Sequence, residues 1–260
     1  MAGIVKEIGD GVTNVRPGDR VIAFTSYGAF AEECLAEAGR LVPIPAGMDF
    51  ATAAAFLLTY GTSHHALCNR IRCTPGEVLL VLGAAGGVGL AAVEIGKVLG
   101  LRVIAAASSE DKLAICRAHG ADETINYSTE EIRGRITALT AGHGVDIIYD
   151  PVGSRYTEAA LRSSNWRARL LVVGFAAGDI PKIPLNLALL KGCDIRGVFW
   201  GAWTKINPAK NRANLEKLVQ WTAEGKISSH VDRTFPLSQT ADALKVLAGR
   251  KAMGKVILHP

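Results

Sequence analysis

The sequence predicts an α/β protein, a doubly wound parallel sheet with a second, partial β-rich lobe. Three features carry that reading. Short apolar runs alternate with helical patterns through the middle of the chain, a glycine-rich turn joins one such run to a helix, and the two flanks have a different, turn-rich texture.

The N-terminal flank comes first. Residues 3–50 carry turn signals, Pro17-Gly18-Asp19, Tyr27-Gly28 and Pro43-Ile44-Pro45, between short strands expected at Arg20–Phe24 and Phe30–Leu35. That is barrel-like spacing. The middle then offers strands Val78–Gly83, Arg102–Ala107, Glu123–Asn126, Val145–Tyr149, Arg169–Val173 and Asp194–Phe199. Several are nearly continuous apolar runs, as strands buried on both faces must be. Between them lie helical patterns at Val88–Leu99, Glu110–Ala118, Glu130–Leu139 and Tyr156–Leu161. Such alternation implies right-handed crossovers and a parallel sheet. The C-terminal flank offers helices Asn211–Glu224 and Leu237–Ala248 and a last strand, Gly254–Leu258. Two lobes follow, one of them assembled from both chain ends.

Composition limits the alternatives. The chain has 260 residues, 49% hydrophobic and 20% charged, enough to bury a core and too apolar for disorder. No period of repeats is present. The net charge of +5 is modest. The loose basic groups Arg155/Arg162/Arg167/Arg169 and Lys205/Lys210/Arg212 read as solvated helix faces, with a weak attraction for phosphates as the alternative. The start, Met1-Ala2-Gly3-Ile4-Val5-Lys6-Glu7, has no signal-peptide pattern, and the apolar stretch Val78–Val93 is short and broken by glycines, so no membrane span is expected. Cys34, Cys68, Cys73, Cys116 and Cys193 are odd in number and scattered, which fits reduced thiols in a cytoplasmic protein.

The chemistry centres on Gly83-Ala84-Ala85-Gly86-Gly87-Val88-Gly89. A strand runs into this turn and a helix leaves it, so the backbone of Ala85, Gly86, Gly87 and Val88 can face a pyrophosphate at a helix N-terminus. Gly86 permits close approach of the ligand, and Gly89 lets the helix pack on the strand. The first glycine of the usual fingerprint is replaced by Ala84; a shifted register, Gly87-x-Gly89-x-x-Ala92, also fits. An NAD site places a carboxylate at the end of the second strand. Here that position is Ala107, followed by Ser108 and Ser109, with Lys112 close by. Hydroxyls and a lysine suit a 2′-phosphate, so NADP is the expected cofactor. Glu110 and Asp111 are expected in the first turn of a helix capped by Ser109, where acids suit the dipole.

Cys34, His64 and His65 lack partners at ligand spacing, so no metal is expected. Hydrolase elbows and P-loops are missing as well. What remains is direct hydride transfer, for which activated acceptors such as quinones or α,β-unsaturated carbonyls are suited.

Further stretches of the chain are distinctive: Val12-Thr13-Asn14-Val15-Arg16-Pro17-Gly18-Asp19-Arg20-Val21, Leu58-Thr59-Tyr60-Gly61-Thr62, Ala121-Asp122-Glu123-Thr124-Ile125-Asn126-Tyr127, Asp150-Pro151-Val152-Gly153 and Gly254-Lys255-Val256-Ile257-Leu258. With the glycine turn, and in this order, they resemble the zinc-free quinone oxidoreductase, zeta-crystallin-like branch of the medium-chain dehydrogenase/reductase family. The resemblance covers essentially the whole chain. It implies a Rossmann domain over residues 60–200, a partial GroES-like lobe over 1–59, and a return to that lobe over 201–260. It further implies that Lys112, Tyr127 and Arg250, helped by Ser108, contact the adenosine 2′-phosphate. Thr62 would sit near the nicotinamide, and Phe175, Phe199 and Trp200 would line its pocket. The activity implied is NADPH-dependent reduction of quinones or enones. An enoyl-thioester reductase and a non-catalytic NADPH-binding fragment that touches RNA stand as alternatives, although nucleic acid is not the expected partner. Members commonly pair through the last Rossmann strand, here Asp194–Phe199, and an apolar edge strand needs covering, so a homodimer is expected. The family's chain opens with strands that end in Pro-Gly-x-Glu-x-x-Gly, whereas this sequence starts at Ala2-Gly3-Ile4-Val5. It therefore reads as truncated at its N-terminus, and no catalytic acid or base is named.

Overall fold

The chain opens on β1 (Ala2–Ile4), β2 (Arg20–Ala23) and β3 (Leu41–Pro43), an antiparallel sheet in the order β1-β2-β3. The structure is a computed structural model that describes all 260 residues. Val21, Ile22 and Ala23 are buried, and Arg20 anchors the strand by donating to the Met48 carbonyl at 2.6 Å while lying over the Phe50 ring. No strand forms at Phe30–Leu35. That stretch, Phe30-Ala31-Glu32-Glu33-Cys34-Leu35, pairs with nothing; the adjacent Glu32 and Glu33 give it no single apolar side for a sheet to bury, and Leu35 is 98% exposed.

A helix that periodicity missed follows, α1 (Phe50–His64). Its sequence is apolar nearly all round, with no polar stripe to give a 3.6-residue signal. Its start is marked chemically. Asp49 accepts from the Thr52 amide at 2.8 Å and the Thr52 hydroxyl at 2.7 Å, and these bonds hold its carboxyl below the usual range. A π-helical turn, His65–Arg70, continues α1.

The parallel sheet then forms: β4 (Val78–Leu82), α2 (Gly87–Val98), β5 (Arg102–Ala107), α3 (Glu110–Ala118), β6 (Glu123–Asn126), α4 (Ile132–Leu139), β7 (Val145–Asp150), α5 (Arg155–Arg162), β8 (Ser164–Val172), α6 (Asn186–Lys191) and β9 (Asp194–Gly197). The strand order is β6-β5-β4-β7-β8-β9, all parallel. The order reverses between β4 and β7, and ligands of doubly wound sheets bind at that switch point. One face of the sheet gathers Leu80, Leu82, Ile104, Ala106, Ile148 and Leu170 with Ile132 and Ile136 of α4 and Leu161 of α5. On the other face α2 lies close; a Cβ at Gly96 would meet Leu79 at 2.8 Å and Val103 at 3.0 Å.

Two strand ends depart from expectation. β8 starts earlier, at Ser164, with an irregular register at its beginning. β9 stops at Gly197, because the chain turns into α7 (Trp200–Ile206). The C-terminal part comprises α8 (Pro208–Ala223), β10 (Val231–Pro236), α9 (Thr240–Ala248) and β11 (Lys255–His259), with β10 and β11 paired in parallel. The chain divides into two compact units: Met1–Gly61 with Arg212–Pro260, and Thr62–Asn211.

Candidate functional site

The glycine turn follows β4 at the switch point. Gly83 adopts φ 59°, and a Cβ there would stand 2.6 Å from Val152. The Ala84 amide donates to the Ala106 carbonyl at 3.0 Å, and the Gly86 amide closes the turn on the Gly83 carbonyl at 3.1 Å. Gly86 caps α2 in extended conformation, and no side chain caps the helix start. The first-turn amides of Gly87, Val88 and Gly89 thus lie at the positive end of the helix without an intrahelical acceptor.

The glycines differ in what they do. A Cβ on Gly89 would lie 2.5 Å from the Gly83 carbonyl oxygen and 2.7 Å from Ala84 Cα, so packing of α2 on the turn forbids any side chain. A Cβ on Gly86 would meet only the Gly83 carbonyl, at an ordinary 3.4 Å. The protein's own packing therefore does not require glycine at 86, and the space beside it at the start of α2 is open. This cradle fits a pyrophosphate.

The second strand, β5, ends at Ala107. Beyond it Lys112 Nζ donates to Ser108 Oγ at 3.1 Å, Ser128 Oγ donates to the Ser108 carbonyl at 2.9 Å, and the Tyr127 amide donates to the Ala107 carbonyl at 3.1 Å. The ends of β5 and β6, paired up to Ala107 and Asn126, thereby bring Ser108, Lys112 and Tyr127 together. The Tyr127 ring packs at 4.5 Å on Tyr156, over which Arg155 lies at 5.2 Å. Glu110 is paired with Arg117. Ser109 occupies the cap position of α3, but its side chain makes no capping bond.

The remaining expected residues are placed as follows. Thr62 lies half-buried in α1, next to Ser63. Ser63 Oγ is 2.8 Å from both the Val88 carbonyl and the Tyr149 hydroxyl. The carbonyl can only accept, so Ser63 donates to it and Tyr149 donates to Ser63. Phe175 follows β8 and is 40% exposed. Phe199 stands at the cap of α7, 76% exposed, whereas Trp200 is 4% exposed with its indole NH donating to Asn211 Oδ1 at 3.1 Å. Arg250 belongs to the other unit, in the left-handed turn after α9.

Residues that sequence reasoning left without a role cluster at the end of β7. Asp150 is 2% exposed. Its Oδ1 accepts from the amides of Val152 and Gly153, each at 2.8 Å, and its Oδ2 accepts from Thr157 Oγ1 at 2.5 Å. The motif Asp150-Pro151-Val152-Gly153 was legible; the tertiary contacts that give it meaning were not.

The titratable groups elsewhere in this unit are muted. Burial, with His65 alongside, lowers His64 to about 4, and burial lowers His65 too, while its ring packs at a tilt against Trp203. Burial pushes Cys68 up to about 12, Cys73 to about 11 and Cys116 to about 12, so these thiols are poor nucleophiles. No group of three or more His, Cys, Asp or Glu side chains is arranged to hold a metal ion.

Comparison with known proteins places this geometry. Residues 87–223 match the zinc-binding dehydrogenase family model. Quinone oxidoreductase-like protein 2 of Bos taurus is 37% identical, over 99% of this chain and 74% of its own length. The quinone oxidoreductase of Pseudomonas aeruginosa is 34% identical, over the whole of this chain and 80% of its own. The crystal structure of Escherichia coli quinone oxidoreductase complexed with NADPH superposes with a TM-score of 0.93 at 28% identity, covering all of this chain and 80% of that one. The chain belongs to the quinone oxidoreductase branch of the medium-chain dehydrogenase/reductase family.

Proposed function

We propose that this chain binds NADPH and transfers its hydride to quinones or other α,β-unsaturated carbonyls, with no metal taking part. One observation carries the reading. Where an NAD site needs a carboxylate, β5 ends in Ala107 and hands over to the bonded pair Ser108 and Lys112, beside the uncapped start of α2. Ala85, Gly86, Gly87 and Val88 would hold the pyrophosphate. Ser108, Lys112 and Tyr127 would hold the 2′-phosphate. Thr62, Phe175, Phe199 and Trp200 would enclose the nicotinamide. The dinucleotide supplies the hydride, and the protein orients it and excludes water. A conjugated acceptor needs little polarisation, which suits a site with no metal donor set.

The test is NADPH oxidation with an ortho-quinone and with a 2-enal, alongside direct NADPH binding. Turnover of either acceptor is the expected result. Binding without turnover would reduce the chain to an NADPH-binding protein, and absence of both would overturn the reading. Comparison with an enoyl thioester separates the neighbouring reductase class. The same proposal includes a homodimer that pairs along β9, the outermost strand of the sheet, where Ile195 and the neighbouring Leu189 and Leu190 are exposed.

A further inference from the structure

Asp150 is a buried carboxylate whose donors are all neutral: two amides and one hydroxyl. A buried charge without a cation is costly, and it persists where its surroundings need it. Here the positive end of α5, where Thr157 sits in the first turn, offsets part of that cost. What the carboxylate shapes is the loop 151–154. Gly153 has φ 71°, and Ser154, with φ 69° and ψ −160°, sits in a region that residues with a side chain rarely enter. Strain of this kind persists only where neighbours over-determine it, and it gathers at working sites.

The loop touches two other segments. Val152 packs against Gly83, where a Cβ would stand 2.6 Å from its methyl. Gly153 lies under Phe175, with a Cβ position 2.9 Å from the ring. The amides of Ala176 and Ala177 donate to the carbonyls of Pro151 and Val152 at 3.0 and 2.9 Å, so the Phe175 segment is tied to the loop by backbone as well. One carboxylate thus shapes a loop that sets the glycine turn on one side and Phe175 on the other.

We propose that Asp150 is a positioning residue for the dinucleotide: through loop 151–154 it holds the pyrophosphate turn and the Phe175 segment at the separation NADPH requires. The inference rests on the functional reading above, in which the turn and Phe175 serve different parts of one ligand. Asp150 touches no ligand itself. The Ser108–Lys112 corner lies at the end of β5 and does not depend on the loop.

The test compares two ligands on the full chain. NADPH spans the turn and the Phe175 segment, whereas 2′-AMP reaches only the Ser108–Lys112 corner. Asp150→Ala is expected to weaken NADPH by about tenfold or more, since sub-ångström misplacement is amplified in such sites, and to leave 2′-AMP within about twofold. Thr157→Val removes one donor only and is expected to weaken NADPH about threefold with 2′-AMP unchanged. If Asp150→Ala does not fold, Thr157→Val decides alone. Unchanged NADPH affinity in the folded variants, or an equal loss for both ligands, would overturn the proposal. Failure of the unmodified chain to bind NADPH would instead remove the functional reading on which it stands.

Discussion

Gly86 and Gly89 lie three residues apart in the same turn, yet they should fail in different ways when replaced by alanine. At Gly89 a methyl would sit 2.5 Å from the Gly83 carbonyl oxygen, 2.7 Å from Ala84 Cα and 2.7 Å from the Ala84 carbonyl oxygen. All three atoms are backbone, so none can swing aside, and α2 must shift off the turn. Overpacking of that kind costs about 1–3 kcal/mol, and alanine's better helix propensity returns about 1 kcal/mol at most. The close contacts with rigid atoms put Gly89→Ala at the upper end, a net loss of roughly 1–2 kcal/mol. At Gly86 the methyl meets a single atom at 3.4 Å, and the backbone, at φ −78° and ψ 165°, suits any residue. Folding stability should therefore hold or rise by about 0.5 kcal/mol, because alanine has less freedom to lose. The methyl does, however, occupy the space through which a pyrophosphate would approach the first-turn amides of α2. Losing or lengthening one or two charge-assisted bonds there should weaken NADPH roughly tenfold to a hundredfold. Urea unfolding and calorimetric titration with NADPH measure the two quantities separately. A Gly86→Ala chain that binds NADPH like the original would refute the assignment of the open space to the ligand. A Gly89→Ala chain of unchanged stability would refute the packing argument.

Further outcomes follow from the same geometry. Lys112→Ala should weaken NADPH by about 1.5–3 kcal/mol and NADH by much less, measured by titration with both; equal losses would show that Lys112 does not read the phosphate. Replacing Ile195 on the edge of β9 by lysine should turn the proposed dimer into monomer in sedimentation velocity, since the substitution places a charge on a strand that would otherwise pair; a monomeric parent chain would remove the dimer altogether. Buried His64 titrates at about 4 instead of 6.5. The unfolded chain therefore binds the extra proton between those values, so stability is complete above about pH 6.5 and falls as pH drops toward 4, by about 3 kcal/mol in total. Urea melts from pH 7 to pH 4 should show that slope in the parent chain and a shallower one in His64→Gln, where His65, also lowered by burial, still contributes.

Most of the sheet was legible because of where it lies. Strands buried on both faces must be apolar along their buried length, so Val78–Leu82 and, after its leading arginine, Arg102–Ala107 stood out as runs without any partner in view. The corner at Ser108 and Lys112 was legible for a related reason: a missing carboxylate is a local fact about one position in one strand. The β-rich flank was less legible. Phe30–Leu35 follows a turn signal as a short strand would, but a strand exists only when another pairs with it, and pairing is not written in the segment itself. α1 was missed for the opposite reason: it is so apolar that no face contrasts with another, and only the Asp49–Thr52 cap marks its start.

The least legible feature was the division of labour at the end of β7, and strand geometry explains it. Successive side chains on a strand point to opposite faces. Tyr149 and Asp150 are neighbours in sequence, so they serve opposite sides of the sheet. Tyr149 reaches Ser63 of α1 and, through it, the Val88 carbonyl in the first turn of α2. Asp150 reaches back into loop 151–154 and forward to Thr157 of α5. Between them, two adjacent residues tie α1, the start of α2, the loop under Phe175 and the start of α5 to a single strand end at the switch point. None of these links is local except those of Asp150 to its own loop; Ser63 is 86 residues from Tyr149. A motif such as Asp150-Pro151-Val152-Gly153 marks a family, but the work of its residues becomes visible only when the fold brings their partners to them.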